Sequence, residues 1–349
     1  MTYNLMSKKQ MHILVIRLSS MGDVAMTVPI LRQFTKQYPQ VKLTVLTKEF
    51  FTPFFRDLEN VSVYAADVKG KHKGVLGLYK LSKELKNLEF DAIADLHNVL
   101  RSNVLKLFLI NKKCIQIDKG RAEKKALTTG KVVKQLKTTH QRYAEVFSTL
   151  GFQLDMSSPS FPDSVILNDK IKDIVGDKGK PWIGIAPFAA FNSKAYSLEQ
   201  MQEVVKTLSK TNIILLFGGG QNEIDQLNNI SSSNSNVINL AGKLSIDEEL
   251  DVISNLNLMI SMDSGNAHLA AMLGIEVITI WGVTHPYAGF YPFNQNPENA
   301  LLANREEYPL IPTSIYGNKF PEGYDEAINS ITPQQIISRA NMILQKSLT

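Results

Sequence analysis

Two successive series of short β-branched runs alternating with amphipathic stretches, separated by a break rich in proline and glycine, constrain this chain most. From His12 to Leu109 the apolar pattern changes repeatedly between continuous runs and helical spacing. Strands are predicted over His12–Leu18, Val41–Leu46, Val61–Tyr64 and Phe90–Leu96. Helices are predicted over Asp23–Tyr38, Val75–Leu88, Val99–Leu109 and Tyr143–Leu150, and Pro29 kinks the first of them or delays its regular part. Between Ser157 and Lys180, Pro159, Pro162, Asn168, Gly176 and Gly179 mark turns and a linker. The alternation then restarts, with strands at Trp182–Ala186, Asn212–Phe217, Val237–Asn239, Leu258–Ser261 and Glu276–Ile280. Their helices are Leu198–Leu208, Glu223–Ile230, Asp247–Ser254 and Asn266–Leu273, and a last helix spans Pro333–Gln345. Strand–helix–strand repetition is satisfied by a parallel sheet covered on both faces. The expected fold class is therefore α/β, with two doubly wound domains over residues 11–160 and 178–330. A helix over 331–347 is expected to pack back toward the first domain.

The 349 residues are too many for one ordinary core, and 44% hydrophobic with 20% charged residues is globular composition. One cysteine, Cys114, permits no internal disulfide and fits a reducing compartment. No secretory leader pattern is legible, and no run of about 18 apolar residues occurs. A cytoplasmic location is expected. Charge is uneven: twelve Lys and Arg between Arg101 and Arg142 face only Asp118 and Glu123. That window is +10 in a chain of +5, so the remainder sums to −5. Such a segment is either a solvated surface or a field for an anionic partner. No recognised nucleic-acid motif accompanies it, so nucleic acid is not expected.

In doubly wound sheets ligands bind at the carboxyl ends of strands, and with two domains the cleft between them is the default active site. Four segments stand at such ends. Arg17-Leu-Ser-Ser-Met-Gly-Asp23 follows the first strand. Its Asp23 is either a helix cap or a general base. Ser261-Met-Asp-Ser-Gly-Asn-Ala-His268 links a strand to a helix, where free amides and Gly265 suit a diphosphate. The bland alternative makes Asp263 a cap and His268 a core residue. Phe188-Ala-Ala-Phe-Asn-Ser-Lys194 offers a lysine to a leaving diphosphate. Phe217-Gly-Gly-Gly-Gln-Asn-Glu223 is no dinucleotide fingerprint, because Glu223 stands where the third glycine belongs. Glu223 contacts a ribose or base, or is a helix-start acid. The six histidines show no metal-ligand spacing, so no metal site is expected, and no Gly-x-Ser-x-Gly is present.

Taken together, these residues resemble glycosyltransferase family 9, the ADP-heptose:lipopolysaccharide heptosyltransferases. Arg17–Asp23 with the following Pro29 is similar to the family's N-terminal motif, and Asp263–Ala271 to its C-terminal motif. The likeness covers roughly residues 11–345. It implies a GT-B fold, two Rossmann-like domains facing across a cleft, with acceptor bound by the first and nucleotide sugar by the second. It implies that Asp23 is the base and that Lys194 contacts the donor phosphates. Glu223 is placed near the nucleoside, and Asp263, Ser264, Gly265 and His268 at the diphosphate and ribose. Ala189 and Ala190 stand where some members carry hydroxyl residues, leaving backbone contacts. Acceptor-side candidates are Ser20, Gly22, Asp95, His97, Asn98, Arg101, Arg121 and Arg142. The implied reaction is inverting and metal-independent, with no cofactor beyond the nucleotide-sugar substrate. The implied acceptor is an anionic lipid-linked oligosaccharide, met by peripheral contact at the inner face of the inner membrane.

Two other readings stay open on the residues alone. One is a sugar-nucleotide epimerase or hydrolase of similar fold; the other is a non-catalytic nucleotide-binding protein. Residues 285–324 carry five tyrosines that line a sugar site or simply pack a long loop.

Overall fold

The computed structural model of the chain describes residues 10–176, 179–232 and 234–346. The chain divides into two compact units, one running up to Lys119 and resuming over His140–Ser160, the other holding Gly120–Thr139 and everything from Phe161 onward. In order, the first half contains β1 (His12–Ile16), α1 (Met21–Ala25), α2 (Val28–Gln37), β2 (Lys42–Thr47), β3 (Val61–Ala65) and α3 (Gly74–Lys86). It continues with β4 (Ala92–Asp95), α4 (Leu100–Leu107), β5 (Lys113–Gln116), α5 (Arg121–Thr128) and α6 (Thr139–Leu150). The second half contains α7 (Asp169–Val175), β6 (Trp182–Ala186), α8 (Leu198–Leu208), β7 (Ile213–Leu216), α9 (Gln221–Ser231) and β8 (Val237–Asn239). After these come α10 (Ile246–Ile253), β9 (Leu258–Met262), α11 (Gly265–Met272), β10 (Val277–Trp281), β11 (Ala300–Leu302) and α12 (Pro333–Lys346).

The first unit's sheet has the order β3-β2-β1-β4-β5 and the second's the order β11-β10-β9-β6-β7-β8, and every pair is parallel. Both orders are the doubly wound Rossmann arrangement. The central strands β1, β6, β9 and β10 are buried at every position, which is why their sequences are unbroken apolar runs rather than alternating ones. On one face of the first sheet Leu14, Ile16 and Ile93 meet Leu81 and Leu85 of α3 and Leu105 of α4. Phe34 of α2 stacks with Phe147 of α6 and with Phe152. In the second unit Ile183, Ile260 and Ile280 share a core with Val204 and Val205 of α8.

Several elements depart from the sequence reading. The first helix is two: α1 ends at Ala25, and Pro29 lies in the first turn of α2, where its missing N–H is harmless. The break between domains contains α7, capped by the Asn168 side chain on the Ile171 N–H. The basic window hides β5 and α5, and residues 120–139 cluster with the second unit rather than the first. The window does not form one face. Lys106 pairs with Asp95 at 2.6 Å, Arg142 is buried and reaches the Asp118 carbonyl, and Lys124 is buried 4.0 Å from the Phe290 ring centre. Helix α12 buries Ile336, Ile337, Ala340 and Ile343 in the second unit's core against α8. Within 285–324, Tyr308 and Tyr324 pack edge-to-face over Val283, Ala303, Ile311 and Ala327, so these two tyrosines build a small loop core.

Candidate active site

The strand orders place the four segments. In each sheet the winding direction reverses between two adjacent strands, β1 and β4 in the first and β6 and β9 in the second. Loops leaving the carboxyl ends of such a pair diverge and leave a crevice. Arg17–Asp23 follows β1, and Asp95 ends β4 with residues 96–98 following it; residues 187–194 follow β6 and residues 263–268 follow β9. All the candidate chemistry except Glu223 and the outlying arginines therefore lies at two switch points.

At the first, Ser20 is the N-cap of α1 and Asp23 the third residue of the helix. The Asp23 carboxylate accepts from the Ser20 N–H at 3.3 Å and from its hydroxyl at 2.8 Å, and forms an ion pair with Arg17. Asp23 is thus the reciprocal half of a capping box and also a charged group at the strand end. Arg17 is buried, and its guanidinium also donates to the Leu96 carbonyl at 2.7 Å. The Tyr143 hydroxyl donates to the Asp23 carbonyl at 3.3 Å, and burial pushes its own pKa up. At the end of β4, Asp95 is buried and accepts from the N–H groups of His97 and Asn98 at 3.0 and 2.8 Å. This turn holds Asn98 at a positive φ of 43°. His97 Nδ1 faces the Leu18 N–H at 3.5 Å. Burial, then the charges of Arg17 and Lys119, bring its pKa down to about 4, so it is neutral near pH 7.

At the second, Lys194 closes a 3-10 turn, Asn192–Lys194, and its Nζ lies 2.8 Å from Asp263 Oδ2. The same oxygen accepts from the Thr284 hydroxyl at 2.9 Å. Asp263 is not the cap of α11; Ser264 is, with its hydroxyl 3.1 Å from that of Ser261. The first amides of α11, which no helical carbonyl can accept, follow Gly265 directly. His268 is buried on the first turn of α11. Ala189 is half-buried and Ala190 exposed, so only their backbone offers polar groups. Glu223 accepts from the Gly219 N–H at 2.7 Å, fixing the glycine turn ahead of α9.

The remaining acceptor-side candidates disperse. Gly22 lies within α1 beside Asp23, and Arg101 is exposed on the first turn of α4. Arg142 is buried beside Asp118, and Arg121 belongs to α5, within the second unit. Sequence reasoning missed Thr284 and Gly317. A Cβ at Gly317, whose φ is +89°, would stand 2.5 Å from Lys194 Cδ, and the Ser193 hydroxyl donates to the Gly317 carbonyl at 2.5 Å. Gly317 lies in the tyrosine-bearing stretch, where no local pattern marked it.

Two doubly wound units in one chain, each with polar side chains at its switch point, place the protein in the GT-B class of α/β folds. The sequence model described as glycosyltransferase family 9 (heptosyltransferase) matches residues 78–313, and the chain belongs to that family. Among relatives, it is 25% identical over 297 residues to the lipopolysaccharide core heptosyltransferase OpsX of Haemophilus influenzae, covering 84% of each chain. It is 23% identical to the lipooligosaccharide heptosyltransferase 2 of Campylobacter jejuni, over 94% of this chain and 96% of the relative. Among solved structures, a family 9 glycosyltransferase from Veillonella parvula superposes with a TM-score of 0.74 at 18% identity, covering 98% of this chain and 100% of the other. The E. coli ADP-heptose heptosyltransferase II superposes at 0.69 and 20% identity, over 97% and 100%. These likenesses establish the GT-B fold.

Proposed function

We propose that this enzyme transfers heptose from ADP-heptose to a lipopolysaccharide-core-type acceptor, with inversion and without a metal ion. The Lys194–Asp263 pair beside the amides of α11 carries this reading. It sets a nearly buried ammonium at a helix N-terminus, an arrangement suited to two phosphates. The relatives' names, lipopolysaccharide core and lipooligosaccharide heptosyltransferases, support heptose as the sugar and the core as acceptor.

In the proposed step, Asp23 takes the proton of an acceptor hydroxyl while that oxygen attacks the anomeric carbon. The bond from that carbon to the phosphate oxygen breaks on the opposite face, and its electron pair leaves with ADP. Lys194 and the α11 amides meet the charge that grows on the departing diphosphate, the role a divalent cation fills elsewhere. Glu223 and His268 are assigned to the nucleoside and ribose side, with Ser264 and Gly265 at the phosphates. Backbone at Ala189 and Ala190 completes the phosphate contacts. Ser20, Gly22, Asp95, His97 and Asn98 surround the base and are assigned to the acceptor. No cofactor is required beyond the donor itself. Work at the cytoplasmic face of a membrane follows from a lipid-linked acceptor. Among the described residues no helix is long and apolar enough to cross one.

The test is turnover of ADP-heptose with a heptose-deficient core acceptor after chelation of divalent metals, alongside calorimetric binding of ADP, UDP and GDP. Transfer with ADP preference is expected. Preference for UDP or GDP would move the donor away from ADP-heptose. Release of free heptose without an acceptor would indicate a hydrolase.

A further inference from the structure

The first unit exposes a group of large apolar side chains on one pair of helices. On α3, Val75 and Leu76 are 61% and 85% exposed, and Tyr79 follows on the same stripe. On α4 and just beyond it, Leu100, Leu107 and Ile110 are 80%, 69% and 78% exposed. Helical spacing puts Leu76, Tyr79 and Lys83 on one side of α3, opposite the buried Leu78, Leu81 and Leu85. Leu100 and Leu107 likewise share the side of α4 opposite Leu105. The two helices pack together, and Tyr79 meets Phe108 edge-to-face at 5.4 Å, which joins the stripes.

Cations surround this surface. Residues 69–86 and 100–113 hold ten Lys and Arg and a single acid, Glu84. Glu84 is paired with Lys71 at 2.7 Å, Lys106 is turned to Asp95 and Lys112 lies over the Phe90 ring, which leaves Lys69, Lys73, Lys80, Lys83, Lys86, Arg101 and Lys113 exposed against the flanking acids Asp67 and Glu89, a positive excess. Lys83 Nζ lies over the Tyr79 ring, 4.6 Å from its centre. Apolar side chains rimmed by lysine match a surface that is apolar below and anionic above. A second copy of the chain would bring two positive surfaces together, and charge complementarity selects against it.

We infer that the α3–α4 face docks on an anionic lipid bilayer, with Leu76, Leu100, Leu107 and Ile110 entering the interface and Lys80 and Lys83 meeting lipid phosphates. The proposed lipid-linked acceptor supplies a purpose for such docking, but the surface is independent of Asp23 and Lys194. It can therefore be tested without donor, acceptor or turnover.

The experiment is sedimentation of the full chain with vesicles free of lipopolysaccharide. One set is phosphatidylcholine mixed with phosphatidylglycerol, and the other is phosphatidylcholine alone. Binding to the anionic vesicles is expected, weakened by salt. Partitioning should fall by on the order of tenfold or more in a Leu76→Ser, Leu107→Ser double variant, which removes two of the exposed side chains proposed to enter the interface. It should fall comparably in Lys80→Glu, Lys83→Glu. Leu310→Ser, at an exposed leucine of the second unit, should leave it unchanged. Equal binding to neutral and anionic vesicles, or binding indifferent to both double variants, overturns the proposal. So does concentration-dependent self-association that the leucine variant abolishes, since a second copy would then be the occupant. Loss of heptose transfer with vesicle binding intact would count against the proposed reaction and not against this surface.

Discussion

Lys194 Nζ and Asp263 Oδ2 lie 2.8 Å apart although 69 positions separate them in the chain. The adjacency of β6 and β9 brings them together: Ala186 and Ser261 are register partners, and each residue follows shortly after its strand. Both side chains are mostly withdrawn from water, so each depends on the other for charge compensation. Lys194→Ala should weaken ADP binding by about 10–100-fold, the loss expected for a charge-assisted contact. Asp263→Asn should weaken it less, because lost orientation of Lys194 is offset by removing a negative charge from beside the diphosphate. Calorimetry of both variants without metal checks the ranking.

Gly317 gives a second route to the same lysine without touching its charge. Its φ of +89° disfavours any Cβ, and that Cβ would collide with the Lys194 stem. Gly317→Ala should therefore cost about 1–3 kcal/mol of stability. It should also displace Lys194 enough to reduce ADP affinity severalfold. Urea midpoints and calorimetry on one preparation separate the two effects.

Asp23 is held by Arg17 and Ser20 at the end of β1. Asp23→Asn keeps the shape and removes the proposed base, so kcat should fall by roughly 10²–10⁴-fold. ADP binding should stay within twofold or so, since the residues proposed to hold the donor belong to the other unit. Arg17→Met should lower kcat in the same direction by releasing the carboxylate, and Arg17→Lys should recover part of it. An Asp23→Asn enzyme retaining full kcat would remove Asp23 from the chemistry.

His97 makes stability depend on pH. Its folded pKa of about 4 lies below the usual 6.5, so the unfolded chain binds the proton first as pH falls. The stabilisation from keeping it neutral is complete above about pH 6.5 and is lost progressively toward pH 4, a difference on the order of 3 kcal/mol. His97→Gln should flatten urea midpoints across that window and leave them nearly unchanged above pH 7, apart from a constant offset. A slope identical to that of the parent chain would show that other groups dominate it.

Elements whose residues interact with near neighbours were readable in the sequence. The unbroken Ile-Leu-Val-Ile of β1 and the Met-Ile-Ser-Met of β9 declared buried parallel strands, because only a sheet covered on both faces tolerates such runs. Strand β5, Lys-Cys-Ile-Gln, did not declare itself. It is a half-exposed edge strand whose place is set by pairing with β4, and edge pairing imposes little pattern on composition. The basic window shows the same limit of a linear reading. Charge is counted along the chain, whereas Lys106, Lys124 and Arg142 each turned to a different partner in the fold.

The sequence alone determined the two doubly wound units and the strand-end segments at Asp23, Lys194 and Asp263, because hydrophobic periodicity and turn chemistry act over a few residues. Only the tertiary structure decided that Lys194 pairs with Asp263, that Arg17 grips Asp23, and that Gly317 packs on the lysine stem. Those contacts depend on strand order and on where a long loop returns. Both are settled by the packing of distant segments, for which no local pattern in the chain is required.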